Sequence, residues 1–328
     1  MNSILILSCG TRNKVLQAFK KTLPHVHLIA SDCNPAAPAL YEADERCLLP
    51  RMSESDYEDK LKALLLEKKP SLVLSLIDPE LSVLARMRPE LEAQGTKVMI
   101  SNPELVEMSF DKYAFSKALR EAGLPSVPTY RPSEALEALE KGDLALPLFV
   151  KPQCGSASIR INRVTTRQEL EALLAEGADL VVQPLMLGPE LGKEYGVDCY
   201  FDMTDGHLVD LFIKEKLLMR AGETDKSISR HHQAIADLLT RFASHFPFRG
   251  VIDIDIFETE GSLFISEVNP RFGGGYPHAY GAGVDFPALL AKNFEAPLPH
   301  FSALSYPENL VMMKYNEVLI KPQNELVH

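Results

Sequence analysis

The chain has 328 residues, 46% of them hydrophobic and 24% charged, with a formal net charge of −11 at pH 7. That length holds two or three packed units, and the acidic balance excludes a general binder of nucleic acid or of anionic membranes. The five cysteines (Cys9, Cys33, Cys47, Cys154 and Cys199) contain no CxxC pair, so neither a zinc site nor a disulfide framework is expected, and a reducing cytoplasm is.

The opening MNSILILSCG lacks a basic start and reads as a first strand rather than a signal peptide. No apolar run approaches membrane-spanning length. Residues 3–8 are a short apolar strand, followed by a helical pattern carrying Val15, Leu16 and Phe19. Strands at 26–31, 71–76 and 97–101 alternate with helices at 56–68 and 80–94. Such alternation predicts a parallel α/β sheet with right-handed crossovers, and function at the carboxyl ends of its strands. Those ends are residues 9–12, 32–34 and 77–80. A dinucleotide fingerprint is not present, because Gly10 is followed by Thr11, Arg12 and Asn13 instead of further glycines. Residues 32–50, with three prolines, read as a loop-rich connection.

A boundary falls near Asn102-Pro103. Residues 104–122 read as one helix carrying Asp111, Lys112 and Lys117, and Gly123 stops it. Beyond a short helix at 134–140, a strand at 148–150 delivers Lys151 to the small-residue loop Gly155-Ser156-Ala157-Ser158. Small residues let backbone N–H groups approach phosphate, and a lysine at the mouth adds charge, although no Walker loop is spelled. A strand at 159–164, a helix at 167–175 and a strand at 179–185 follow. An outgoing strand at 195–202, just after Glu194, turns at Asp205-Gly206 and returns over 208–216 with Lys214 on it. Residues 219–229, with Arg220, Gly222, Glu223 and Lys226, read as a polar loop, and 230–246 as a helix whose His231, His232 and His245 face solvent.

The chemistry concentrates at residues 251–275, VIDIDIFETEGSLFISEVNPRFGGG. Two apolar runs separated by turn residues predict a hairpin. Side chains two apart share a face, so Asp253 and Asp255 point together, as do Glu267, Asn269 and Arg271. Acids on a solvent face are common, but acids inside a Val/Ile/Phe-rich strand are disfavoured there without partners. Pairing through the short turn brings Asp255 to Glu267, and hard oxygens from Asp255, Glu267 and Asn269 suit Mg2+, with Mn2+ as a substitute. A loop at 276–282, a helix at 286–293 and a closing strand over 310–320 complete the reading.

In this order the motifs resemble the ATP-grasp superfamily, in particular carbamoyl-phosphate-synthase large-subunit-like proteins and carboxylate–amine ligases. They are Asp111-Lys112, Val150-Lys151-Pro152 with Gly155-Ser156, Val182-Gln183-Pro184-Leu185, Glu194, and the hairpin acids with Glu267-Val268-Asn269-Pro270-Arg271. The resemblance implies a Rossmann-like pre-ATP-grasp domain over 1–103. It implies an ATP-grasp N-terminal subdomain with a phosphate flap over 104–186, and a C-terminal subdomain with a metal site over 187–328. By the same resemblance Lys112, Lys151 and Lys214 contact ATP phosphates, with Gly155 and Ser156 in the flap over them. Gln183, Pro184, Leu185 and Met186 form the adenine hinge. Glu194 takes the ribose, with Glu190 as its rival. Asp255, Glu267 and Asn269 hold magnesium, and Arg271 stabilises the transferring phosphoryl group.

The implied activity is an ATP- and Mg2+-dependent, ADP-producing ligase that joins a small-molecule carboxylate, or bicarbonate, to an amine or ammonia. The alternatives are a nucleotide-binding sensor or scaffold without turnover, and a small-molecule kinase. Arg12, Arg220 and His278 are the candidates for holding substrate. A homodimer is the default assembly.

Overall fold

A computed structural model of the chain describes residues 1–155, 162–177, 179–186, 192–220 and 222–327. Three sheets organise it. The first alternates strand and helix: Ser3–Leu7 (β1), Asn13–Thr22 (α1), His27–Asp32 (β2), Glu45–Leu48 (β3), Tyr57–Lys68 (α2), Leu72–Ser75 (β4), Asp78–Ala93 (α3) and Lys97–Val98 (β5). Its order is β3-β2-β1-β4-β5 and every pairing is parallel, as the alternation predicts. β3 lies within the expected loop. It is a four-residue edge strand, ERCL, too short and too charged to show a strand period.

Next come Pro103–Phe110 (α4), Lys112–Glu121 (α5) and Pro132–Lys141 (α6). The single helix expected over 104–122 is two helices, because Asp111 adopts an extended conformation between them. Its Oδ1 accepts from Tyr113 N at 2.9 Å and Ala114 N at 3.0 Å, capping α5, and its Oδ2 accepts from Gln153 Nε2 at 2.7 Å. A three-stranded sheet follows, in order β7-β6-β8, from Leu148–Pro152 (β6), Asn162–Val164 (β7) and Leu180–Pro184 (β8), with Arg167–Ala175 (α7) between β7 and β8. Ser156, Glu190, and the start of the strand expected at 159–164 lie outside the described residues.

The third sheet is antiparallel, in order β13-β12-β9-β10-β11-β14. It comprises Lys193–Phe201 (β9), Leu208–Arg220 (β10), Glu223–Ser229 (β11), Gly250–Thr259 (β12), Ser262–Asn269 (β13) and Val311–Met313 (β14). Helix Gln233–His245 (α8) packs on it, and Tyr276–Gly281 (α9) and Phe286–Glu295 (α10) follow β13. Three expectations are corrected here. Residues 219–229 are not a loop but the tip of β10 and the strand β11, pairing Arg220 with Glu223 and Lys214 with Ser229. Its polar residues Thr224, Asp225, Ser227 and Ser229 are buried, so the strand lacks the apolar alternation that would announce it. Residues 276–281 are a short helix, and the closing strand covers only 311–313.

Four apolar clusters fix these layers. One joins α1 and the first sheet to Tyr200, Phe212, Phe272, Tyr276 and Phe286, so the first unit is docked on the third sheet. A second packs α5 and α8 on the third sheet, and a third lies under α2 and α3. The fourth, smaller cluster belongs to the three-stranded sheet with α6 and α7. No helix among the described residues is long and apolar enough to cross a membrane.

The break at Asp111 aims Lys112 at the three-stranded sheet, so the cap is expected to matter. Asp111→Ala should lower unfolding stability by about 1–2 kcal/mol in urea titrations. Asp111→Asn, which keeps a cap oxygen, should lose less than half of that.

Candidate active site

The floor of the site is the β12–β13 hairpin. Its two-residue turn, Glu260-Gly261, has φ of 51° and 75°, the left-handed pair that a tight hairpin turn demands. That turn sets the register from Thr259–Ser262 to Ile256–Ile265, and one extra residue beyond it places Asp255 opposite Glu267 and Asp253 opposite Asn269. A register shift after Asp255 makes room for Ser266 as an extra residue on β13, re-aiming the strand end where Glu267 and Asn269 sit. Asp253, Asp255, Glu267 and Asn269 all line one cavity of about 550 Å3. Directly opposed side chains have Cβ atoms about 5 Å apart, so Asp255 and Glu267 converge.

Cations balance these acids. Lys216 Nζ lies 2.7 Å from Glu194 Oε1 and 2.7 Å from Asp255 Oδ1. Burial opposes its charge, but Asp255 and Glu194 more than offset that, so its pKa moves up. Glu194 is pushed up by burial against the pull of Lys216, and Asp253 is raised by burial and by Asp255. Lys151 Nζ is 3.8 Å from Glu267 Oε2; burial draws its pKa down, with Glu267 opposing. Lys112, at the first turn of α5, donates to the Gly155 carbonyl at 2.5 Å. Both lysines line the cavity from the three-stranded side.

The first sheet reaches the site at two strand ends. Asp78 Oδ2 accepts from Arg271 Nη2 at 2.8 Å, and Arg12 Nη2 lies 3.0 Å from Glu223 Oε1. Burial opposes the charge of Arg271, yet Asp78 prevails and its pKa rises; burial lowers that of Arg12. At the opposite end Gln183, Pro184, Leu185 and Met186 line the cavity beside Phe149 and Phe257. The Gln183 side chain is turned away to Thr129 Oγ1, 2.8 Å from its Nε2. Residues 183–186 therefore present backbone and apolar surface to the cavity.

The structure thus brings together Arg12, Lys112, Lys151, Gly155, residues 183–186, Glu194, Asp255, Glu267, Asn269 and Arg271 around one space. It does not bring Lys214, Arg220 or His278 there. Lys214 is buried, ion-paired with Asp198, and covered by Gly275, where a Cβ would meet Lys214 Cε at 2.4 Å. Arg220 sits at the hairpin tip with its side chain 61% exposed, donating to Asn316 Oδ1 at 3.0 Å. His278 is buried, with Nδ1 2.8 Å from Ser227 Oγ and its ring edge-on to Phe212. The sequence reading missed Lys216, and it gave Asp78, at the strand end 77–80, and Glu223, in the polar run 219–229, no individual role. Lys216 carried a signal: it shares a strand face with Lys214, and the register that pairs Lys214 with Gly196 points it at Glu194.

Two family models match the chain: the PylC-like N-terminal domain over residues 4–99, and "ATP-grasp in the biosynthetic pathway with Ter operon" over residues 178–316. The D-alanine–D-alanine ligase of Mycobacterium tuberculosis strain H37Rv is 31% identical over 242 residues, 63% of this chain and 63% of that protein. The chain spans about six-tenths of the length of the curated relatives it matches. Among solved structures, the biotin carboxylase domain of Hydrogenobacter thermophilus 2-oxoglutarate carboxylase, with MgADP and bicarbonate, superposes with a TM-score of 0.75 at 17% identity. That match covers 94% of this chain and 73% of that one. The L-amino acid ligase of Bacillus licheniformis gives 0.70 at 20% identity, covering 91% and 75%. These structural matches bear out the expected fold.

His278 now reads as a core residue, and this is measurable. Burial, with Lys214 nearby, pushes its pKa from 6.5 down to about 4. Between those values the unfolded chain binds a proton that the native chain does not, so stability falls on acidification through that window. The loss from this residue is up to about 3 kcal/mol. Urea unfolding at pH 7, 6, 5 and 4 should show a shallower acid loss for His278→Gln than for the wild type.

Proposed function

Since the chain belongs to the ATP-grasp superfamily, we propose that it uses ATP and Mg2+ to activate a carboxylate as an acyl phosphate, which an amine or ammonia then attacks. The observation that carries this reading is the convergence of Asp255, Glu267 and Asn269 with Lys112, Lys151, Lys216 and Arg271 on one cavity. A phosphate tail needs positioning and charge neutralisation more than covalent chemistry from the protein. Oxygens from Asp255, Glu267 and Asn269 are the hard donors that Mg2+ prefers. Bound there, Mg2+ supplies neutralisation of the developing phosphate charge.

Lys112 and Lys151 then hold the phosphates from above, and Lys216 takes the place proposed at first for Lys214. Residues 183–186 offer the adenine backbone contacts between Phe149 and Phe257. Glu194 takes the ribose hydroxyls once Lys216 shifts to phosphate. Arg271, oriented by Asp78, faces the transferring group. In the first step a carboxylate oxygen bonds to the γ-phosphorus as the bond to the bridging oxygen breaks, and ADP leaves. In the second the amine nitrogen bonds to the acyl carbon, the carbon–oxygen bond to phosphate breaks, and the amine loses a proton. Exclusion of water protects the intermediate. Bicarbonate with ammonia, the carbamoyl-phosphate-synthase-like version, uses the same residues.

The test is ADP release with a panel of carboxylates, amino acids, bicarbonate and ammonia, with and without Mg2+. Acceptor-dependent release is expected, with a hydroxamate when hydroxylamine is the nucleophile. Asp255→Asn and Glu267→Gln should each reduce kcat by roughly 100-fold or more. ATP that binds but is never consumed would indicate a sensor, and turnover without hydroxamate a kinase; either outcome overturns the ligase reading.

A further inference from the structure

A second cavity, of about 270 Å3, opens at the carboxyl ends of the first sheet and shares no lining residue with the site above. Ser31 and Asp32 at the end of β2, Ser8 after β1 and Ile77 after β4 converge on it, with Tyr57 at the start of α2. Open parallel sheets bind their ligands at such strand ends. Strand alternation decides which side of the sheet it faces. Leu28 and Ala30 belong to the apolar cluster under α1 that docks on the third sheet, whereas Ile29 belongs to the cluster under α2 and α3. Ser31 shares a face with Ile29, so it points to the side of the sheet away from the docked layer.

The acids at this end are already satisfied by the protein. Glu80, in the first turn of α3, is buried and accepts from the hydroxyls of Tyr57, Ser75 and Ser8, the last at 3.0 Å. Asp32 accepts from Gly10 N at 2.7 Å and from Asn34 N at 2.9 Å. Two donors on the pocket wall are not satisfied. Ser31 is fully buried, and its Oγ has no hydrogen-bond partner among the described residues. Arg51 donates its backbone N–H to Glu54 Oε1 at 3.2 Å, but its guanidinium makes no hydrogen bond or ion pair among the described residues. A buried hydroxyl left unpaired is costly, and a ligand oxygen that meets it recovers the difference. Leu49, Pro50, Met52 and Ile77 make much of the remaining wall apolar. One free guanidinium near Asp32 neutralises a single negative charge and leaves a dianion in excess, so the donors suit a carboxylate.

We infer that this pocket is a binding site for a small monocarboxylate with an apolar body, separate from the site of the proposed reaction. Its carboxylate accepts from the Arg51 guanidinium and the Ser31 hydroxyl. Its body lies on Leu49, Met52, Ile77 and the Tyr57 ring, in a volume that holds roughly nine non-hydrogen atoms at a water's share of about 30 Å3 each. The occupant lies outside the cavity of the proposed reaction, so it is not one of the reactants. The inference stands whether or not the chain is a ligase.

The experiment reads Cys33, an exposed thiol on the wall of this pocket, with Cys154, an exposed thiol on the other cavity, as the control in the same sample. The full chain is alkylated with iodoacetamide, and the rate at each cysteine is followed by peptide mass spectrometry. The probes are butyrate, hexanoate and benzoate, each against its neutral amide, with phenyl phosphate as the dianion. At least one carboxylate should slow alkylation of Cys33 saturably and leave Cys154 unchanged, with an apparent Kd about tenfold below that of its amide. Arg51→Gln should bring acid and amide together, and Ser31→Ala should weaken the acid. The inference is overturned if no carboxylate protects Cys33, if the amide protects as well as the acid, if Cys154 is slowed in step with Cys33, or if phenyl phosphate alone protects. The wild-type comparison needs no variant, so misfolding of either substitution cannot decide it. Protection is read without turnover, and ADP release reports on the ligase reading separately.

Discussion

Buried carboxylates next to one another are tolerable only where a cation is shared between them, and the site is built on that constraint. Lys216 sits 2.7 Å from an oxygen of both Glu194 and Asp255. Remove it and two partly buried acids face each other in the cavity wall without their counter-charge, a loss that for a fully buried pair reaches roughly 3–5 kcal/mol. The lysine therefore does two things. It lets the strands carry acids without losing their fold, and it places positive charge between Glu194 and Asp255, the residues proposed for the ribose and for the metal ion. On the proposed function, binding a nucleotide with its cation would be an exchange: incoming positive charge on Asp255 would release Lys216 toward phosphate.

The same logic explains why the first sheet belongs to the site. Its strand ends supply Asp78 to Arg271 and Arg12 to Glu223. Each contact crosses from one sheet to another, and the apolar cluster around Phe19, Phe272 and Tyr276 holds the two units in register beneath them. Arg12, on the connection between β1 and α1, is held in place by Glu223 and by the close approach of Gly274.

Much of this was legible in the sequence, for identifiable reasons. The hairpin followed from its turn residues, but Asp255 stands opposite Glu267 only because the extra residue Ser266 shifts the register by one. The parallel first sheet followed from alternation alone. What failed depended on residues distant in sequence. Lys214 and Lys216 are equivalent on a strand face until Gly275 closes over one of them. The polar run 223–229 reads as loop until His278, the Pro307 carbonyl and β14 arrive to pair its hydroxyls and backbone. One helix became two because Asp111 had a better use for its carboxylate as a cap and as the acceptor for Gln153. Periodicity reports a segment's own preference, and each miss is a place where a neighbour overrode it.

The small core of the three-stranded sheet bears on mechanism. It rests on few buried residues beside the clusters of the other two sheets, so it is the unit whose displacement exposes least apolar surface. Yet it carries Lys151 and Phe149, faces Lys112 through Gly155, and holds residues 183–186. Its one ionic tie to the floor is the long Lys151–Glu267 contact at 3.8 Å among the described residues. Under the proposed function a phosphate tail held on the floor would add direct contacts to both lysines beside that weak one. On the proposed function, substrate binding and closure would be the same event: the charge that completes the site would also fasten the layer that shields it.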